Sequence, residues 1–262
     1  MVTGIVISGD GTEIGYTKFG NGQAIVISHG SYTGQEDWFA FAKKLAVTFT
    51  VYVYDRRGRG QSIDTNSPYT FDKELDDLAA MVDHTSATII LGHSFGGAVA
   101  LAYTMREGFS GKLIMYEPMN SILRQVSEGY LKELKVLVEK GDLDGATLLA
   151  QLKIVGIPGA SVEMFRNSPF WNTFIKRTPI FVRELEVLDT FNSTAVNPEK
   201  IKAKIWLLLG DESWCVLRIA AAGVVSMVKG VTVYPLVGQS HFAYSENPVL
   251  LREIVLKCLK EI

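Results

Sequence analysis

The chain has 262 residues, room for one large α/β domain or two small ones with a sizeable core. Hydrophobic residues make up 47% and charged residues 21%, the mixture of an ordinary soluble globular protein, and a formal net charge of -2 excludes a nucleic-acid surface built on excess positive charge. Two cysteines, Cys215 and Cys258, are too few for a disulfide scaffold or a zinc cluster and read as buried thiols in a reducing compartment.

The amino-terminal stretch has no basic region followed by an apolar core, so no secretory signal is expected there. Val2–Ser8 and Thr12–Phe19 read as strands joined by the turn Gly9-Asp10-Gly11, a hairpin signal. Ala24–Ser28 is a wholly apolar run of the kind covered on both faces, followed by a helix over Gln35–Ala46 and a second buried strand at Thr50–Tyr54. Phe71–Asp83 has helical spacing, Thr88–Leu91 is a strand, Phe95–Arg106 a helix and Lys112–Tyr116 a strand ending at Glu117-Pro118.

From about Asn120 to Lys200 the pattern is helical, with no convincing strand; Lys132, Lys135 and Lys140 mark a solvated face there. Alternation then resumes with strand Ile205–Leu209, a helix near Val216–Met227, strand Val231–Leu236 and a last helix Pro248–Lys260. The apolar runs are too short to span a bilayer, so the expected location is cytoplasmic. Strands alternating with helices imply a parallel sheet with helices on both faces. The block 120–200 is too long for an ordinary connection. It is expected to be a helical cap inserted into a core of 1–119 and 201–262, seated over the sheet edge where such folds bind ligands.

The strongest local signal is Gly92-His93-Ser94-Phe95-Gly96, with an apolar strand before it and an Ala-rich helix after it. A serine at so sharp a turn takes a strained backbone, and the residues two before and two after must be small. The helix that follows aims its amino-terminal amides at charge developing on a substrate. A serine hydroxyl needs a base. Of the four histidines, His241 in Gly238-Gln239-Ser240-His241-Phe242 suits that role, in a loop just after the last strand. His93 is expected to point into the structure, His29 begins a glycine turn, and His84 closes a helix with no partner in view.

Together these residues resemble the α/β-hydrolase family over most of the chain outside the cap. The resemblance implies the α/β-hydrolase fold, a mostly parallel eight-stranded sheet with helices on both faces and an inserted helical cap. Ser28-His29-Gly30-Ser31 looks like the family's HG turn, which makes the Ser31 and Phe95 amides the implied oxyanion hole. Asp55-Arg56-Arg57-Gly58-Arg59-Gly60-Gln61-Ser62 resembles the family's D-x-R-G-x-G-x-S loop and is read as structural.

The carboxylate that should orient His241 is where the match departs. In many relatives it follows the seventh strand in a G-x-x-D turn, but here Gly210-Asp211-Glu212-Ser213 puts Ser213 at that place. In some haloalkane dehalogenases of this fold the acid instead follows the sixth strand, where this chain has Glu117. The reading favours Glu117, keeps Asp211 as the alternative, and leaves Glu212 or no acid behind them.

The implied activity is that of a cofactor-free serine hydrolase. Ser94 attacks the carbonyl of an ester, thioester or lactone, His241 moves the proton, and water releases the acid. Ser94 in place of an aspartate argues against alkyl-enzyme chemistry, and no metal, nucleotide or dinucleotide fingerprint is present. Alternatives on the same residues are carbon–carbon bond hydrolysis, haloperoxidase-like perhydrolysis and acyl transfer. From another class, a slow or non-catalytic small-molecule receptor draws its support from Ser213. Phe165, Phe170, Trp171, Phe174 and Phe181 are most simply the cap's own core. If some line the pocket, Trp38, Phe165, Trp171 and Trp214 are the substrate-binding candidates, suiting an apolar acyl group or ring. The expected partner is a small-molecule substrate; a homodimer is left open, and neither nucleic acid nor membrane is expected.

Overall fold

The computed structural model describes residues 1–64, 68–191 and 197–260. Strands β1 (Val2–Ile7) and β2 (Glu13–Phe19) form an antiparallel hairpin running from Val2 opposite Lys18 to Ile7 opposite Glu13. The remaining strands are β3 (Ala24–Ser28), β4 (Thr50–Tyr54), β5 (Ile89–His93), β6 (Lys112–Tyr116), β7 (Lys204–Gly210) and β8 (Thr232–Leu236). They make one eight-stranded sheet in the order β1-β2-β4-β3-β5-β6-β7-β8, parallel from β4 to β8.

The central strands are mainly apolar because both faces are covered. Successive side chains alternate between two cores. Val26, Ile90, Leu113, Met115 and Leu207 face one core with helices α2 (Phe71–Thr85), α3 (Phe95–Glu107) and α8 (Cys215–Met227). Ile25, Ile27, Leu91, Ile114, Trp206 and Leu208 face the other, packed on α1 (Phe39–Leu45) and α10 (Pro248–Lys260). The helix expected over Gln35–Ala46 opens as a 3-10 turn, Gln35–Trp38, before α1 begins. Both the backbone N–H and the side-chain amide of Gln35 donate to the Asp55 carboxylate, at 2.9 and 2.7 Å, and so pin that first turn.

Between β6 and β7 lie α4 (Leu131–Glu139), α5 (Leu143–Leu149), a π-helical turn Ala150–Val155, α6 (Gly159–Arg166) and α7 (Trp171–Asp189). No strand occurs there among the described residues; of the expected insertion, 192–196 lie outside them. This helical segment meets the carboxyl ends of the strands. Arg177 of α7 donates to the Tyr32 carbonyl at 2.5 Å, and Phe174 stacks on the Tyr32 ring with centroids 4.5 Å apart. Deeper, Glu184 of α7 accepts from both Arg56 and Arg59 of the loop after β4. A short helix α9 (Ala243–Glu246), absent from the sequence reading, precedes α10. Among the described residues no helix is long and apolar enough to cross a membrane.

Candidate active site

The ladder between neighbouring parallel strands carries on past their ends and sets the first two groups side by side. Ser94 N–H donates to the Tyr116 carbonyl at 3.1 Å, and Glu117 N–H donates to the Leu208 carbonyl at 3.0 Å. Ser94 stands between β5 and α3 at φ 53° and ψ -121°, a conformation that costs an L-residue about 1–3 kcal/mol. Its neighbours must be small: a Cβ on Gly96 would lie 2.2 Å from the Ser28 carbonyl oxygen. Glu117, immediately after β6, also has positive φ, at 47°.

The Glu117 side chain is completely buried, yet both carboxylate oxygens are satisfied. Oε1 accepts from Gly210 N–H at 2.7 Å and from the Ser213 hydroxyl, while Oε2 lies 2.6 Å from His241 Nδ1. The loop carrying His241 is anchored on both flanks. The Tyr116 hydroxyl donates to the Ser240 carbonyl and accepts from Ala243 N–H at 3.0 Å, and His93 Nε2–H donates to the His241 carbonyl at 3.1 Å. His93 is wholly buried, its ring among Trp38, Tyr116, Tyr244 and His241. Burial first, and then the neighbouring His241, hold its pKa well below the usual imidazole value.

Ser94 and His241 line one narrow cavity, of about 60 Å³, that also takes in Ser31, Met119, Gln151, Phe174, Trp214 and Leu217. Among the described residues no hydrogen bond joins the Ser94 hydroxyl to the imidazole in this resting arrangement; such bonds are often long in unliganded sites and tighten around substrate. Ser31 is at the cavity wall, and Phe95 N–H is the first amide of α3. Among the described residues neither the Ser31 nor the Phe95 amide donates to another acceptor.

Four sequence expectations change. Asp211 is exposed and accepts from Gly238 N–H at 2.7 Å, away from His241; Glu212 is exposed as well. The turn after β7 aims Ser213 inward, so the acidic residues just before it point to solvent. Trp38 is no cavity residue: the 3-10 turn directs it beneath the sheet edge, where it stacks on Tyr244 with centroids 4.4 Å apart. Trp171 gives its indole N–H to Asp144 at 2.7 Å and packs on Phe165 within the helical segment. Cys215 is exposed as the first residue of α8, whereas Cys258 is buried.

Of the other candidates, Trp214 lies in the cavity wall with its ring 5.8 Å from that of His241, and Phe165 lines an outer mouth with Phe170 and Arg177. His84 has a partner after all, the Tyr16 hydroxyl at 3.0 Å. The arginines after Asp55 serve structure: Arg57 pairs with Asp77 and Asp10, and Arg56 with Glu74 and Glu184. Sequence reasoning passed over Tyr32, Gln151, Phe242 and Tyr244 in the walls. Only Ser213, occupying the place of a family aspartate, carried a signal that could have been followed. Among the described residues no group of three or more His, Cys, Asp or Glu could hold a metal ion.

Comparison with known proteins agrees with this architecture. A non-heme haloperoxidase of Rhodococcus erythropolis is 34% identical over 106 residues, 39% of this chain and 39% of that protein. A proline iminopeptidase of Saccharolobus solfataricus is 32% identical over 132 residues, 48% of this chain and 41% of that one. The matches thus span about two-fifths of the length of these relatives. The crystal structure of an alpha/beta hydrolase from Sphaerobacter thermophilus superposes with a TM-score of 0.84 over 98% of this chain and 100% of the other, at 24% identity. Residues 25–253 match the alpha/beta hydrolase family, to which this chain belongs.

Proposed function

We propose that this hydrolase cleaves a carboxylic ester, thioester or lactone of a small, mainly apolar substrate through an acyl-enzyme on Ser94. The observation that carries the reading is the placement of Ser94 and the Glu117-held imidazole of His241 on one cavity. Ser94 Oγ attacks the carbonyl carbon as His241 Nε2 takes its proton. Glu117 keeps Nδ1–H fixed and balances the imidazolium. Charge on the carbonyl oxygen falls to the Ser31 and Phe95 amides. Collapse of the tetrahedral species breaks the bond to the leaving oxygen or sulfur, which receives the proton from His241. Water, deprotonated by the same imidazole, then attacks the acyl carbon and frees the acid and the Ser94 hydroxyl.

Against the receptor alternative, which rested on the lack of a carboxylate at position 213, speaks the Glu117 carboxylate 2.6 Å from His241 Nδ1. One second reading has an observation behind it, the likeness to a protein named a haloperoxidase. Hydrogen peroxide in place of water would take the acyl group from Ser94 and leave as a peracid, which bromide-dependent halogenation of a dione in acetate and peroxide would detect.

Stopped-flow mixing with p-nitrophenyl acetate and butyrate tests the main reading. A burst of p-nitrophenol and labelling of Ser94 by a fluorophosphonate are expected, both absent in Ser94→Ala. Wild-type protein that shows neither turnover nor labelling overturns it.

A further inference from the structure

One polar group in the cavity has no use in the chemistry above. Gln151 lies in the π-helical turn Ala150–Val155, is 2% exposed, and lines both the inner cavity and its outer mouth. Among the described residues its Nε2 has no hydrogen-bond partner of normal geometry. The Tyr32 hydroxyl lies beside the amide, but a phenol oxygen can occupy at most one of the two N–H groups. Nor is that hydroxyl an idle partner: it is 3.3 Å from Thr178 Oγ1, which is 2.6 Å from Thr147 Oγ1, and Thr147 Oγ1 donates to the Leu143 carbonyl at 2.7 Å. The chain of hydroxyls engages Tyr32, and Gln151 beside it lines the cavity.

A buried amide with an unmade hydrogen bond is costly. The wide turn that holds it is of a kind found often at functional sites, and here it brings Gln151 and Val155 to the same cavity. The surroundings are apolar: Val155, Phe174, Phe181, Met119 and Leu217. Among the described residues no lysine or arginine lines the inner cavity, and Arg177 at the outer mouth is already engaged by Asp37 at 3.2 Å and by the Tyr32 carbonyl. The missing partner is therefore a neutral acceptor, since a carboxylate there would be buried without a counter-charge.

We propose that Gln151 Nε2 is a specificity-determining donor, selecting substrates whose apolar body carries a neutral oxygen acceptor, such as a ketone, a few atoms from the scissile carbonyl. This rests on the acyl-transfer reading for the position of the scissile bond. It further assigns the substrate to the class of oxo-substituted esters or lactones rather than plain alkyl or aryl ones.

Matched esters differing only by C=O for CH₂, with the ketone on the acyl side in one series and on the alcohol side in the other, test it. At one position wild type should prefer the ketone about tenfold in kcat/KM. Gln151→Leu should bring that ratio close to one, and so should Gln151→Met, which keeps the length of the side chain and removes the amide donors. A wild-type ratio near one at every position overturns the proposal, and so does a preference that survives both variants. Calorimetry of Ser94→Ala with the same pairs reads the preference as binding, with about tenfold tighter binding of the favoured ketone expected and equal binding against it. That arm stands even if Ser94 proves unreactive, so failure of the acyl-transfer reading and failure of this one are told apart.

Discussion

The Ser213 hydroxyl donates to Glu117 Oε1, while the other oxygen of the same carboxylate holds His241 Nδ1 at 2.6 Å. The residue standing where many relatives keep an aspartate thus braces a carboxylate supplied by the neighbouring strand. Glu117 reaches the imidazole because β6 and β7 pair in register, Tyr116 opposite Leu208, so the ends of both strands open on one spot.

This arrangement ranks three substitutions. Glu117→Gln should lower kcat roughly 10³- to 10⁴-fold, by removing the charge that stabilises the imidazolium and favouring the wrong tautomer. Ser213→Ala should cost about tenfold, the worth of one hydrogen bond to a buried charged group. Asp211→Asn, whose carboxylate among the described residues meets only the exposed Gly238 amide, should stay within about threefold. Steady-state kinetics on one activated ester decides the order, and an Asp211→Asn loss matching that of Glu117→Gln would reassign the acid.

The turn at Ser94 makes a second prediction. Gly96→Ala places a methyl group 2.2 Å from the backbone oxygen of Ser28, with the Ser28 carbonyl carbon and the His29 oxygen both at 2.5 Å. Backbone cannot retreat as a flexible side chain can, so overpacking should destabilise the fold by about 2 kcal/mol or more. Urea titration measures it; a variant as stable as wild type means that the strand-to-helix turn can open to admit the methyl group.

Much of this was legible in the sequence, and the boundary of legibility is physical. Mainly apolar short runs such as Ala24–Ser28 and Lys112–Tyr116 mark strands covered on both faces, and the strand-turn-helix context of Gly92–Gly96 marks the bend. Both are local patterns. The choice between Glu117 and Asp211 depends on how far side chains reach between adjacent strands, which no spacing along the chain records. Trp38 misled because a 3-10 turn rotates it away from the direction an α-helix would give. Gln151 was invisible because one π-helical turn displaces it from the 3.6-residue pattern of the segment around it.

The ion pairs that join α7 to the core give a third expected outcome. Glu184 is fully buried and accepts from Arg59 at 2.6 Å and from Arg56, which also pairs with Glu74 at 3.0 Å. Burial alone would raise the Glu184 pKa, but the two guanidinium groups pull it below the usual carboxylate value. Glu184→Gln leaves Arg56 with Glu74 but strips Arg59 of its counter-charge. It should therefore destabilise the protein by roughly 3 kcal/mol, most of it the cost of a stranded buried cation. Removing Arg59 as well, in Glu184→Gln with Arg59→Met, should recover part of the loss. Denaturant midpoints of the two variants test this, and a double variant less stable than the single one contradicts it.

Acid should weaken the fold through histidines outside the chemistry. His29 and His93 are wholly buried, and burial, more than any neighbouring charge, drives both pKa values well below the ordinary 6.5. Folded protein therefore keeps both imidazoles neutral, while unfolded chain protonates them as pH falls through about 6.5. Below that point the unfolded state binds more protons, so stability rises with pH; above it the contribution is fully present. Between about pH 6 and 5 each should remove up to about 1.4 kcal/mol per pH unit. Asp10, held low chiefly by its hydrogen bonds to Arg57 and Thr12 against the opposing effect of burial, loses its contribution only at still lower pH. Urea midpoints measured from pH 8 to 5 should be level down to about 7 and then decline, and a flat curve to pH 5 would show that these rings accept protons within the folded state.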